Sequence, residues 1–195
     1  MERELIPLFS KPLYTGYVDI GNIDLNNVNW IQNNFNWTSE DMNVLDKEEF
    51  KALREKIMFY VFDFFYGFMR VDLQTKIDIT ESWLNKTEKG QMHHRHWHPN
   101  SILSGVVFLS TDGETGKLRL INSQYNTFEF DTVEPSLYNA TTWSVKPEAG
   151  KIALFPSGLE HMVDTYEGDT PRISLAFNTF IKGTVNTKPL TKLEI

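Results

Sequence analysis

The sequence predicts a mostly β domain with a flanking helix, its short strands packed as two sheets in a jelly roll. Three observations carry this. One stretch, 46–71, repeats its apolar residues at three and four positions, the spacing of a helical face. From residue 76 onward, period-two segments alternate with Gly-, Pro- and Asp-rich turns. Aromatic residues make up 13% of the chain, a supply of rings that suits a bulky β or mixed core.

The first 45 residues are Asn-rich and irregular, with short apolar pieces such as "YVDI"; they predict an edge strand and loops. In "DKEEFKALREKIMFYVFDFFYGFMRV", Asp46 is placed to cap a helix, with Glu49 at the capping-box position. Phe50, Leu53, Ile57, Val61, Phe64 and Phe68 form one face, expected to pack on a sheet. Then "KIDITESWLN", "ILSGVVFLS", "KLRLIN", "TFEF", "TTWSV", "KIALFP" and "RISLAFNTF" read as strands. Between them, "TDGETG", "KPEAG", "PSG" and "EGDTP" are turns, with Gly113, Gly116, Gly150 and Gly158 as turn residues. Gly105, inside "SGVVF", marks a close backbone approach or bulge. A helix followed by many strands indicates antiparallel β-structure with a helical flank, and this strand count suits a jelly roll.

The 195 residues are the size of one domain, with no internal repeat or linker. Residues 1–75 supply an N-terminal strand, loops and the supporting helix, and 76–185 the jelly-roll core. The absence of cysteine excludes disulfides, thiolate nucleophiles and iron–sulfur clusters. The opening "MERELIPLFSKPLY" lacks the apolar core of a signal peptide, and no stretch approaches a membrane span. A cytoplasmic protein is expected, in the host cytoplasm if the chain is phage-encoded. The N-x-T sequons at Asn36, Asn85 and Asn139 are then chance matches. The net charge of −7 disfavours non-specific binding to nucleic acid or anionic membranes. An exposed edge strand would make a homodimer plausible.

Four of the five histidines crowd into "HHRHWH", just before an apolar β run. On a strand, residues i and i+2 share a face, so His96 and His98 can converge on one ion. His94 shares their parity but lies nearer the loop, and His93 and His94 are expected in the loop or behind the ligands. His161 follows "KIALFPSGLE" and can supply a third nitrogen from the opposite wall if the two sheets face each other. Three imidazoles without cysteine suit zinc, iron, copper or nickel.

Downstream, Arg172, Ser174, Ala176 and Asn178 alternate with Ile173, Leu175 and Phe177 in "RISLAFN". The second set would join an apolar layer. The first puts a guanidinium, a hydroxyl and an amide on the other face. An arginine aimed into a barrel is costly unless an anion meets it, and the guanidinium fork matches a carboxylate bidentately. A dicarboxylate ligand is its natural partner.

Together, "HWHPNSILSGVVFL", "KPEAGKIALFPSGLEHMV" and "PRISLAFN" resemble the iron(II)- and 2-oxoglutarate-dependent oxygenases, in particular a bacterial and phage branch with an H-x-H-P…SGV segment, and in motif order the prolyl hydroxylases. The opening "LIPLFSKPLY" and the strand "ITESWLN" are similar too. The resemblance covers most of the chain and is densest over 80–180. It implies a double-stranded β-helix whose mouth holds iron(II) and 2-oxoglutarate and admits O2. It implies His96, His98 and His161 as metal ligands and Arg172 on the distal carboxylate of 2-oxoglutarate. Ser174 would assist Arg172, and Asn178 faces the same way. The activity implied is hydroxylation of a C–H bond of a small molecule or protein side chain, with release of succinate and carbon dioxide.

The chain departs from that pattern at His98, where most of the superfamily has Asp or Glu. The third ligand is then either His98 or a carboxylate from elsewhere, such as Asp112 or Glu114. Trp83, Trp97 and Trp143 could line the mouth or belong to the core, with Trp97 pointing away from the metal. Two other classes compete. A cupin-like three-histidine metalloenzyme without co-substrate explains H-x-H but not Arg172. A non-enzymatic jelly-roll binding or virion module leaves the histidine cluster without a role.

Overall fold

The computed structural model describes residues 3–6, 8–123, 131–186 and 190–195. In chain order the elements are β1 (Tyr14–Tyr17), β2 (Trp30–Asn33), β3 (Asn36–Ser39), α1 (Lys51–Phe62), β4 (Lys76–Thr87), β5 (His93–His96) and β6 (Leu103–Ser110). There follow β7 (Leu118–Ile121), β8 (Thr142–Val145), β9 (Lys151–Pro156), β10 (His161–Val163), β11 (Arg172–Lys182), β12 (Thr184–Val185) and β13 (Leu193–Glu194). The expected strand "TFEF", 127–130, lies outside the described residues.

A large sheet runs β1-β9-β6-β11-β4-β3-β2 and a small one β5-β10-β7-β8, with every strand pair antiparallel. The central strands of the large sheet, β6, β9 and β11, are buried on both faces, and the two-residue period sorts their side chains. Val107, Ile152, Leu154, Leu175 and Phe177 pack with Leu53, Ile57, Val61 and Phe64 of the helical segment. Val106, Phe108, Ala153 and Phe155 face the other way, onto Leu118, Leu120 and Val145 of the small sheet. Each large apolar side chain so buried contributes roughly 1.5–3 kcal/mol. This is the expected jelly-roll sandwich with a helix on its outer face.

Gly105 is the close approach the sequence suggested: a Cβ there would lie 2.2 Å from Phe177 Cζ and 2.7 Å from Leu154 Cδ2. The N-terminal region is more ordered than its Asn-rich composition implies. It supplies both edges of the large sheet, β1 on one side and the β2–β3 hairpin on the other.

Three local expectations are corrected. Asp46 does not cap the helix: it ends a short 3-10 turn, Val44–Asp46, and α1 starts at Lys51 with no side-chain cap. Buried Val44 and Leu45, with the Leu45 amide donating to Ser82 Oγ at 2.8 Å, pin that turn to β4 instead. Phe68 is exposed rather than in the core. The helix widens into a π turn over Asp63–Phe68, which rotates Phe68 off the apolar face. Finally, the histidine run does not lead into β6. It forms its own strand, β5, in the other sheet. No helix among the described residues is long and apolar enough to cross a membrane.

Candidate active site

Between the two sheets lies a small cavity that is partly open to solvent. The large sheet supplies Trp83 and Asn85 of β4, Ser104 and Val106 of β6, Phe155 of β9, and Arg172, Ser174 and Ala176 of β11. The ladder explains the grouping, because Ser174 pairs with Asn85 and Ala176 with Trp83, which puts alternate residues of both strands on one face. The small sheet supplies His93, His96 and His161, and His98 joins them from the segment after β5.

His96, His98 and His161 each offer a ring nitrogen, and the three candidate ligand atoms lie within 4.8 Å of one another. His96 and His161 are direct cross-strand partners of β5 and β10, and their ring centroids lie 4.3 Å apart. Their spacing is therefore set by backbone hydrogen bonds. His161 was expected from the opposite wall; it comes instead from the neighbouring strand of the same sheet. The turn after β9 carries the chain across from the large sheet, a change of sheet that strand periodicity cannot encode. His98 was expected on a strand with His96. It lies just beyond β5, and its amide donates to the Ser157 carbonyl at 3.0 Å.

The tautomers of two rings are fixed. His96 Nδ1 lies 2.8 Å from the His94 carbonyl, and His161 Nδ1 lies 2.9 Å from the Leu159 carbonyl. A carbonyl only accepts, so each Nδ1 carries the proton and each Nε2 presents a lone pair. Such carbonyl-anchored imidazoles are the usual form of metal-ligating histidine. Burial holds all three neutral: the pKa of His161 falls to about 3 and that of His98 to about 4, and His96 is lowered as well. Three neutral nitrogens suit a divalent transition metal. Among the described residues, neither group of converging candidate ligands contains a carboxylate. Asp112 is occupied in its own turn, accepting from the Thr115 hydroxyl and the Glu114 amide, and Glu114 pairs with Lys146.

Arg172 is 1% exposed, and no salt bridge reaches it among the described residues. One guanidinium nitrogen is 3.4 Å from Ser174 Oγ, its carbon lies 5.0 Å from the Phe108 ring centre, and Nε has no partner. Burial lowers its pKa to about 10, opposed by the fields of Tyr166 and Asp112. A buried guanidinium without a carboxylate is a strong donor awaiting an anion. Ser174 stands beside it in the cavity. Asn178 does not line the cavity: its Oδ1 accepts from Ser104 and its amide nitrogen donates to Glu81 at 3.1 Å.

Other residues sort as follows. Trp83 is buried on the cavity wall 5.5 Å from the His98 ring, while Trp97 and Trp143 are exposed. His93 and His94 are in β5 rather than a loop, and His93 is 9% exposed, with Asn36 Nδ2 3.3 Å from its Nδ1. Asn36, Asn85 and Ser104 were not found from sequence. Asn36 and Asn85 stood out only as sequon residues, and both are buried.

The family model described as "Putative 2OG-Fe(II) oxygenase" matches residues 81–178, half of the chain. No curated protein matches the sequence. Among solved structures, HygX of Streptomyces hygroscopicus, with nickel, 2-oxoglutarate and hygromycin B bound, is similar at a TM-score of 0.61 and 12% identity, over 87% of this chain and 83% of that one. A Pseudomonas putida prolyl-4-hydroxylase is similar at a TM-score of 0.53 and 17% identity, over 78% and 77%. A 2OG-Fe(II) oxygenase family oxidoreductase of Burkholderia pseudomallei is similar at 0.52 and 12%, over 78% and 72%. At these identities the likenesses speak for the fold. The matched segment begins on β4 and ends on β11, so it contains every residue lining the cavity, and the chain belongs to the 2OG-Fe(II) oxygenase family, enzymes that use iron(II), 2-oxoglutarate and dioxygen.

Proposed function

We propose that this oxygenase hydroxylates a C–H bond of a small molecule or protein side chain, with His96, His98 and His161 holding iron(II) and Arg172 with Ser174 holding the distal carboxylate of 2-oxoglutarate. The residues fit both groups. Two of the three imidazoles have Nε2 lone pairs fixed by Nδ1–H bonds to carbonyls, and the guanidinium is buried without a carboxylate in the same cavity. The chemistry supplied when iron(II), 2-oxoglutarate and dioxygen are bound is oxidation of C–H to C–OH, with release of succinate and carbon dioxide.

The chain's own part is positional and electrostatic. The β5–β10 ladder fixes two donor nitrogens before any ion arrives, and burial keeps protons from competing for them at neutral pH. Arg172 offers a bidentate fork with no competing carboxylate, so the co-substrate's distal end is held in register with the histidines. Trp83, Phe155 and Val106 keep the wall apolar, which strengthens each polar contact in the cavity. With His98 in place of a carboxylate, the three ligands bring no negative charge, and a bound ion stays more positive.

The observation that carries this reading is the unpaired guanidinium of Arg172 in the same cavity as three converging imidazoles. A three-histidine metal centre working without co-substrate leaves that arginine without a purpose. Adding iron(II) and 2-oxoglutarate without oxygen should give the weak visible charge-transfer band of the chelate. His161→Ala should abolish it, and Arg172→Ala should weaken 2-oxoglutarate binding. Iron bound normally with no band on adding 2-oxoglutarate would overturn the reading.

A further inference from the structure

The tight β2–β3 turn carries a side-chain relay that ends at the cavity. Asn33 and Asn36 are the last register pair of the hairpin, and Asn34 between them takes a left-handed backbone at φ 46°. Asn33 Nδ2 donates to Asn36 Oδ1 at 3.3 Å, which uses that oxygen and turns the Asn36 amide nitrogen toward His93. Asn36 Nδ2 stands 3.3 Å from His93 Nδ1, and an amide nitrogen only donates. His93 Nδ1 is therefore the acceptor, and in the neutral ring the proton sits on Nε2.

This is the opposite tautomer to that of His96 and His161, although His93 shares a strand with the first. His93 also belongs to a second convergent group, with His94 and His96. With Nδ1 taken by Asn36 and hydrogen on Nε2, however, it has no lone pair left for an ion. What remains is an N–H donor in the wall of the cavity that Arg172 also lines. A neutral donor beside a buried cation adds no charge repulsion, yet gives a dianionic ligand one more hydrogen bond.

We propose that His93, set by Asn36, is a positioning residue that donates its Nε2–H to a carboxylate oxygen of 2-oxoglutarate held in this cavity. The inference rests on the co-substrate site assigned above. Its test has two readouts other than turnover. Nitrogen-15 NMR of histidine-labelled, metal-free protein reports the His93 tautomer. Calorimetry on manganese(II)-loaded protein reports 2-oxoglutarate affinity. Wild type should carry the His93 proton on Nε2, and Asn36→Asp, whose carboxylate accepts, should move it to Nδ1. The 2-oxoglutarate dissociation constant should rise at least about tenfold in Asn36→Asp and in His93→Ala. His93→Gln, which keeps an N–H donor, should stay within about threefold, with manganese affinity unchanged throughout.

A wild-type proton on Nδ1, or an unchanged 2-oxoglutarate affinity in His93→Ala, would overturn the proposal while leaving the co-substrate site intact. Loss of manganese binding in His93→Ala would make His93 a ligand and overturn it too. Absence of 2-oxoglutarate binding in wild type would instead remove the site assignment, and the proposal with it.

Discussion

Replacing Arg172 with methionine should move two measurements in opposite directions. Burial holds the guanidinium pKa at about 10 against an ordinary 12.5. At about 1.36 kcal/mol per pH unit, the charged form costs roughly 3 kcal/mol here. At pH 7 the group is charged in both folded and unfolded chains, so this cost weighs against the unliganded fold. Methionine keeps much of the apolar stem and drops the charge. The unliganded Tm should then rise by up to about 6–12 °C, taking about 2–4 °C per kcal/mol for a domain of this size. Affinity for 2-oxoglutarate should fall by about 100-fold or more, since each charge-assisted bond is worth roughly 1.5–3 kcal/mol and the fork makes two. Thermal melts of metal-loaded protein with and without 2-oxoglutarate read both effects, because a ligand of the folded state raises Tm by mass action. A lower Tm for unliganded Arg172→Met would show that the arginine is satisfied within the fold. A ligand-induced Tm rise equal to that of wild type would show that the anion binds elsewhere. Either result refutes the reasoning.

Two further outcomes concern the fold itself. His93 and His161 are buried, with pKa values lowered to about 2 and about 3, below the ordinary 6.5 of an unfolded histidine. His98, lowered to about 4, and His96, also lowered, act in the same direction. The unfolded chain therefore binds more protons below pH 6.5, and metal-free protein should lose about 1.4 kcal/mol per pH unit for each of His93, His98 and His161, about 4 together, as pH falls from roughly 6 toward 4. Urea midpoints at pH 7 and pH 5 check this, and equal midpoints would contradict it. Gly105→Ala would press a methyl against Phe177 and Leu154 in the packed core, costing about 1–3 kcal/mol in chemical denaturation. A neutral result would mean that β6 and β11 can separate without penalty.

Much of this arrangement is legible in the sequence, because two-residue alternation reports which side of a sheet a residue faces. Most of "RISLAFN" divides as read: Leu175 and Phe177 join the helix-side core, and Arg172 and Ser174 line the cavity, while Asn178 bonds Ser104 and Glu81 instead. Alternation does not report which sheet a strand joins. The histidine run therefore looked continuous with β6, and His161 looked like the far wall, when β5 and β10 are neighbours. The β2–β3 hairpin was hidden because asparagine is a poor strand former. Here Asn33 and Asn36 hydrogen-bond each other across the turn, a contact without periodicity. The exposure of Phe68 was hidden for a related reason, since a π turn breaks the 3.6-residue count on which the apolar stripe depends.

Ser157 sits where the chain leaves the large sheet for the small one. Its hydroxyl lies 2.6 Å from that of Ser101 and 2.8 Å from that of Ser104, and its carbonyl receives the His98 amide. The same short connection that delivers His161 thus also holds His98. An inserted or deleted residue between Phe155 and His161 would misplace two of the three nitrogens at once. Natural or engineered variation in length should therefore be rejected at this crossing.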